Sequence, residues 1–252
     1  MIRRTYFVSD IHLRDMQERN GQNLLRFLRF LNLFEEPVDL YFLGDIFDLW
    51  ISDHQVFVKK FEPLWEPLRQ LKSKGCELHF FEGNHDLHIR PFFHGQLGMH
   101  VFKKPKYHQI GQLNVRVEHG DLINPNDIAY LKWKAFTQKR STEFLAHHLP
   151  GFFWSWLGNT LSSKSRERSS QYRVNNEAEI QKMIHEHAIR SYKNKPFDLI
   201  ITGHMHVKVD ETIEIDGRII RNINLGTWMG EHEPPILCIE GSEVTWVSDI
   251  NN

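Results

Sequence analysis

Cysteine is nearly absent from this 252-residue chain: Cys76 and Cys238 are the only two. They stand far apart, so there is no disulfide framework and no thiol set for a structural zinc site; both are expected as reduced core thiols. An excess of either charge is missing too. Lys and Arg number 31 and Asp and Glu 32, a formal net charge of −1, so no global field draws the protein onto nucleic acid. No apolar run approaches the roughly 18 residues that span a bilayer. The opening MIRRTYFVSD carries two arginines with no long apolar stretch behind them, so a secretory signal is not expected. Internal repeats and low-complexity tracts are lacking as well. With 40% apolar, 25% charged and 12% aromatic residues, what remains is a folded protein of one large domain, residues 1–252, expected in the cytoplasm. Histidine, by contrast, is abundant, with 16 residues.

The first third of the chain reads β-α-β-α-β. Thr5–Val8 is a β-prone run that stops at Ser9-Asp10-Ile11-His12. Asn23–Phe34 places Leu24, Phe27, Leu28, Leu31 and Phe34 at helical spacing. A buried strand, Val38–Leu43, ends at Gly44-Asp45; a second helix is expected over Val56–Lys74, stopped by Gly75. Strand Glu77–Phe81 then runs into Gly83-Asn84-His85-Asp86. Lys106–Ile110 and Gln112–Glu118 resemble antiparallel strands ending at His119-Gly120-Asp121. Residues 125–191 read as mostly helical, a cap inserted between two β-rich halves. Strand Asp198–Ile201 leads to Gly203-His204-Met205-His206, and Val207–Ile215, Arg218–Ile223 and Pro235–Val247 read as a closing β-meander with Asp216-Gly217 as a turn.

Polar residues therefore collect just after the strands, where open α/β sheets bind ligands. Asp10, His12, Asp45, Asn84, His85, His119, His204 and His206 are all metal-capable, and Gly44, Gly83, Gly120 and Gly203 stand beside most of them. Asp-x-His and His-x-His in extended chain put both side chains on one side, because the strand period is two. Imidazole, carboxylate and one amide oxygen suit Mn²⁺, Fe or Zn²⁺ more than Ca²⁺. Any one of these residues alone reads as a helix cap or an ordinary histidine; the set together does not.

Asp10-x-His12, Gly44-Asp45-x-x-Asp48, Gly83-Asn84-His85-Asp86, His119-Gly120-Asp121 and Gly203-His204-x-His206 resemble, in order and placement, the motif set of the calcineurin-like metallophosphoesterases over roughly residues 5–230. The resemblance implies an α/β fold of two packed mixed sheets flanked by helices, and a site for two divalent ions, Mn²⁺ foremost with Fe or Zn²⁺ as alternatives. Asp10, His12 and His206 would hold one ion, Asn84, His119 and His204 the other, and Asp45 would bridge. His85 would be the catalytic non-ligand that protonates the leaving group or stabilises phosphoryl oxygens. Asp48 and Asp121 would hold the imidazoles. Two such ions, about 3.5–4 Å apart, activate a bridging water for in-line displacement at phosphorus.

Within that family the chain is similar to the lipid A pathway hydrolases that cleave UDP-2,3-diacylglucosamine to UMP and 2,3-diacylglucosamine 1-phosphate. The shared features are Gly44-Asp45-Ile46-Phe47-Asp48-Leu49-Trp50, Asp127 and Tyr130 after the His119 motif, a helical insertion, and Leu225-Gly226-Thr227-Trp228. His85 stands where those hydrolases usually have Arg, as in general phosphoesterases, and Met205 where they commonly have Thr. A general phosphomonoesterase or phosphodiesterase acting on soluble nucleotides or similar esters is therefore the second expectation, and a non-enzymatic scaffold of the same fold the third. Between Leu131 and Arg173 eight basic residues face two acidic ones, interleaved with Phe152-Phe153-Trp154-x-Trp156. Basic and aromatic residues on helices suit an amphiphilic anion or an anionic membrane surface; the same aromatics also suit plain packing of the cap. Arg166, Arg168, Arg173, Trp154 and Trp156 are the expected substrate contacts, and peripheral attachment to the cytoplasmic membrane follows from them. No nucleic-acid partner is expected.

Overall fold

The computed structural model describes residues 3–150, Trp154 and residues 176–248. Thirteen strands are found among them, in two principal sheets and one small pair. The first sheet has the order β13-β12-β1-β2-β4-β6, built from β1 (Arg4–Val8), β2 (Asp39–Phe42), β4 (Glu77–Phe81), β6 (His100–Phe102), β12 (Leu237–Glu240) and β13 (Glu243–Trp246). The second has the order β10-β11-β9-β8-β7, built from β7 (Lys106–Ile110), β8 (Leu113–Val117), β9 (Leu199–Thr202), β10 (Val209–Ile215) and β11 (Arg218–Asn224). Two-residue strands β3 (Trp50–Ile51) and β5 (Asp86–Leu87) pair in parallel beside them.

Alternation along the strands builds the layers. In β1, Phe7 faces a cluster shared with Tyr41, Phe81, Val115, Val117, Leu199 and Ile201, which glues sheet to sheet. Its neighbours Tyr6 and Val8 face the opposite way, into a cluster with Leu24, Phe27, Leu28 and Leu31 of α1 (Arg19–Asn32). Period two in the strands and 3.6 in the helix thus meet at one interface. On the far side, Ile200 and Ile213 pack with Ala188 and Tyr192 of α7 (Glu177–Asn194). The order is helix, sheet, sheet, helix.

Four differences from the sequence reading have physical causes. The single helix expected over Val56–Lys74 is two helices, α2 (Gln55–Lys60) and α3 (Trp65–Ser73), joined by a 3₁₀ turn over Glu62–Leu64. Pro63 lies in that turn, where it can neither donate a helical hydrogen bond nor fit against the preceding turn. The closing meander is split: β10 and β11 stay in the second sheet, while β12 pairs antiparallel with β1 in the first. The expected 125–191 cap also divides. Helices α5 (Ile128–Thr137) and α6 (Arg140–His148) form a hairpin over the body, whereas α7 is a body helix, its Ile180 and Ile184 packed with Ile123 and Val207. Finally, α1 begins at Arg19 rather than Asn23. A short helix, α4 (Arg90–Phe93), completes the body.

The register aligns the strand ends. Val8 is opposite Phe42 and Phe42 opposite Phe80; in the second sheet Val117 is opposite Ile201. All of these strands run parallel, so their exits open on one edge of the sandwich. No described helix is long and apolar enough to cross a membrane.

Candidate metal centre

The chain leaves β1, β2 and β9 in a left-handed conformation. Asp10, His12, Asp45, His204 and His206 have φ of 50°, 52°, 52°, 70° and 57°. Such backbone costs about 1–3 kcal/mol per non-glycine residue and persists where the surroundings over-determine it. Asp10 and His12 therefore share a side because of paired left-handed turns, not because of the extended chain expected from Asp-x-His spacing. The loops are laced together: Asp10 N–H donates to Gly44 O at 3.1 Å, His12 N–H to Asp45 O at 3.0 Å and Leu13 N–H to Ile46 O at 2.9 Å. Glycine makes the approach possible. A Cβ on Gly203 would lie 2.4 Å from Asp10 Oδ2.

Backbone donors orient the carboxylates. Asp10 Oδ2 accepts from His204 N–H at 2.8 Å, and Asp45 Oδ1 accepts from His85 N–H at 2.9 Å. That leaves Asp10 Oδ1 3.0 Å from His206 Nε2. Asp45 Oδ2 lies 4.0 Å from His12 Nε2 and 3.7 Å from His119 Nε2. His12 Nε2 and His206 Nε2 are 3.1 Å apart. Asn84 Oδ1 stands 3.3 Å from His119 Nε2 and 3.1 Å from His204 Nδ1. His119 Nδ1–H donates to Leu43 O at 2.6 Å, which points the lone pair of Nε2 into the cluster.

Three donor groups result, each with its candidate atoms within 4.8 Å of one another: Asp10, His12, Asp45 and His206; Asp45, His119 and His204; and His12, Asp48 and His85. Asp45 belongs to the first two, which hold the expected ligands. All seven expected donors are brought together. Donors about 2.0–2.2 Å from an ion sit about 3 Å from each other, the spacing seen for His206 with Asp10 and His12 and for Asn84 with His119 and His204; the Asp45 contacts are wider. Asp10 Oδ1 is buried and meets only the His206 imidazole, at 3.0 Å; an ionised oxygen in that position suits a cation. Protonation agrees. Burial opposes ionisation of Asp10, yet the His206 imidazole holds it below the usual carboxylate range; at Asp45 burial is likewise outweighed by His119, His85 and His12. His12 is pushed down to about 3 by burial and the neighbouring His206, and His204 to about 4 by burial and His119. His119 moves the other way, burial being outweighed by the Asp45 carboxylate. Ionised carboxylates with neutral His12 and His204 are what divalent ions need, and His119 would release its proton as an ion binds.

His85 sits beside this cluster, its ring 4.9 Å from that of His12 and nearly perpendicular to it. Its Nδ1–H donates to the backbone carbonyl of Asp48 at 2.8 Å, so Asp48 orients this imidazole through its main chain, while the Asp48 carboxylate lies within 4.8 Å of the His85 and His12 ring nitrogens. Asp121 differs from expectation. It accepts from Tyr130 Oη and pairs with Lys134, both on α5, while the Tyr130 ring lies 5.2 Å from that of His204. The helical hairpin is thereby fastened to the centre. Trp154 packs against the hydrophobic cluster of the body; Trp156, Arg166, Arg168 and Arg173 lie outside the described residues.

Three supports were not legible in the sequence. The buried Asp86 carboxylate accepts from Ile46 N–H at 2.8 Å and Phe47 N–H at 3.1 Å, tying the second loop to the third. Asn224 Nδ2 donates to Gly203 O at 2.6 Å. Thr227 Oγ1 and Trp228 N–H both donate to Asp10 O, at 2.9 and 3.1 Å. The Leu225–Trp228 stretch was a visible signal, but its partner was not.

The fold and the shared-carboxylate centre define a class of metal-dependent phosphoester hydrolases. The chain belongs to the calcineurin-like phosphoesterase family, whose family model matches residues 3–208, and it is a metal-dependent hydrolase. Among curated relatives, it is 29% identical over 231 residues to the UDP-2,3-diacylglucosamine hydrolase of Proteus mirabilis (strain HI4320), covering 90% of this chain and 92% of that one. It is also 29% identical over 246 residues to the UDP-2,3-diacylglucosamine hydrolase of Neisseria gonorrhoeae (strain ATCC 700825 / FA 1090), covering 98% of each. Among solved structures, vacuolar protein sorting 29 from Cryptosporidium parvum aligns with a TM-score of 0.43 at 14% identity, over 98% of this chain and 96% of that one.

Proposed function

We propose that this protein hydrolyses the pyrophosphate of UDP-2,3-diacylglucosamine, releasing UMP and 2,3-diacylglucosamine 1-phosphate, with two Mn²⁺ ions. Asp10, His12 and His206 would hold one ion, Asn84, His119 and His204 the other, and Asp45 both. The observation that carries this reading is the Asp45 carboxylate, which belongs to two donor groups at once. When bound, the ions supply positive charge to phosphoryl oxygens and an activated water.

The chain's own residues do the rest. The Asp48 carbonyl holds Nδ1–H of His85, so in the imidazolium form Nε2 carries the proton given to the leaving oxygen as its bond to phosphorus breaks. The α5–α6 hairpin, residues 128–148, would receive the acylated half. It exposes Ile128 at 56%, Phe136 at 54% and Phe144 at 60%, and beneath α5 a cavity of about 310 Å³ is lined by Phe81, Phe102, Leu122, Leu131 and Lys134 as well as His119. Apolar surface with lysines beside it suits an acylated anion and an anionic lipid surface, which supports a peripheral place on the cytoplasmic face of the membrane.

A second reading, a general phosphodiesterase or phosphomonoesterase, is favoured by His85 itself, a proton donor that esters of poor leaving ability need and a pyrophosphate needs less. Hydrolysis of UDP-2,3-diacylglucosamine beside bis(p-nitrophenyl) phosphate, both with Mn²⁺, separates the two. Turnover of the glycolipid at much the higher kcat/KM supports the first reading; turnover of the small diester alone overturns it.

A further inference from the structure

We propose that the groove on the His12 side of the centre seats the nucleoside monophosphate half of the substrate, and that Arg14 selects it. The inference rests on the nucleotide-linked glycolipid reading and adds to it a specificity residue and a direction of binding. The centre opens two ways. On the side of His119 and Asp121 lies the largely apolar cavity beneath α5. On the opposite side a groove of about 420 Å³ has His12 and Asp48 among its lining residues, together with Arg14, Arg19, Asn20 and Gly230. A substrate with one acylated and one ribosyl end, held by its pyrophosphate at Asp45, has a single orientation that matches both chemistries. Its acyl chains enter the apolar side, which leaves ribose and phosphate to the arginines.

The walls of the groove are already committed to holding its shape. Arg19 donates to Gly230 O at 2.8 Å and His232 O at 3.0 Å. Asn20 Nδ2 donates to Ile11 O at 2.8 Å, and Thr227 holds the Asp10 carbonyl from the other wall. The groove is thus rigidly joined to the loop that carries Asp10 and His12. Arg14 differs. Two residues past His12, it makes an ion pair with Glu18 at 3.3 Å, with the two side chains 55% and 44% exposed, and such exposed pairs hold weakly. A guanidinium in that setting can exchange Glu18 for a phosphate, which it meets with two parallel hydrogen bonds where an ammonium offers a point charge.

The test measures UMP binding to the Mn²⁺-loaded protein by calorimetry, with inorganic phosphate as a second probe, in wild type, Arg14→Gln and Arg14→Lys. Steady-state kinetics on UDP-2,3-diacylglucosamine and bis(p-nitrophenyl) phosphate accompany it. Loss of a charge-assisted contact corresponds to about a tenfold to hundredfold change. Arg14→Gln should weaken UMP by that factor and raise KM for the glycolipid more than kcat falls. The loss on the small diester should be smaller by about tenfold. Arg14→Lys should recover only part. An unchanged melting temperature shows that the fold is intact. UMP affinity equal in wild type and Arg14→Gln overturns the inference. Because the contact is to the phosphate, inorganic phosphate should weaken as well, and its affinity left unchanged while UMP weakens would overturn that contact. If wild type turns over no glycolipid, the substrate reading fails, and the UMP calorimetry still decides the groove.

Discussion

Gly83 lies so close to Asp45 that a Cβ on it would stand 2.2 Å from Asp45 Oδ1 and 2.5 Å from the Asp45 nitrogen. The smallest side chain would therefore push the shared carboxylate out of place. Gly83→Ala is expected to lose bound metal and nearly all turnover while retaining its secondary structure, read by metal analysis and circular dichroism. Full metal content in Gly83→Ala would show that the Asp45 position is not needed.

Asp45→Ala should cost more than any single imidazole. Because its carboxylate belongs to two donor groups at once, both equivalents of Mn²⁺ should be lost, whereas His119→Ala should retain one. The measurement is stoichiometry by calorimetry or mass spectrometry of the native protein. One equivalent retained by Asp45→Ala sinks the bridging assignment.

His85→Ala should keep its metal, since its Nδ1–H is given to the Asp48 carbonyl and it stands outside the two donor groups that share Asp45; loss of an ion would instead make it a ligand together with His12 and Asp48. Turnover on an ester with a poor leaving group should fall about 10²–10⁴-fold, the usual worth of general acid catalysis. The fall should be smaller on p-nitrophenyl esters and on the pyrophosphate. Equal losses for good and poor leaving groups would mean that His85 stabilises charge without giving a proton.

Trp154 packs on the body core, so its truncation should act on stability. Trp154→Ser is expected to destabilise the protein by about 1–3 kcal/mol, below the range for a fully buried Trp, and to reduce activity on acylated and small substrates alike. Phe136→Ser and Phe144→Ser, at exposed positions, should instead lower activity on the acylated substrate preferentially, with little change in melting temperature.

Part of the acid sensitivity should come from His79, away from the metal centre. Its ring stacks on Tyr41 at 4.1 Å and is flanked by His100 and His108; burial, with His108 and His100, pushes its pKa down to about 3. The unfolded chain titrates near the ordinary value, about 6.5. Stability from the neutral ring is thus complete above about pH 6.5 and falls as the pH drops below it, by up to about 1.4 kcal/mol per pH unit for one proton. Urea unfolding at pH 7.5 and pH 5 should show a smaller difference in His79→Phe than in wild type.

What the sequence by itself determined was the order of elements and the exits at which polar residues gather. Those signals are local: a β-prone run stopped by glycine, as at Leu40–Gly44 and Phe80–Gly83, and an apolar stripe such as Leu24, Phe27, Leu28 and Leu31. Pro63 is equally local, and its missing donor and ring outweigh the helical pattern on either side of it. What only the tertiary structure decided depends on contacts between distant segments. The left-handed turns at Asp10, His12, Asp45, His204 and His206 are disfavoured in an isolated chain and are held by loops donating to one another. Asp86 gains its role from the amides of Ile46 and Phe47, some 40 residues away. β12 leaves the local hairpin pattern because β1 offers an edge with a matching apolar face on either side. Local propensity set where each donor lies along the chain; the packing of two sheets set which donors meet, because that meeting is stabilised by burial that no single segment possesses.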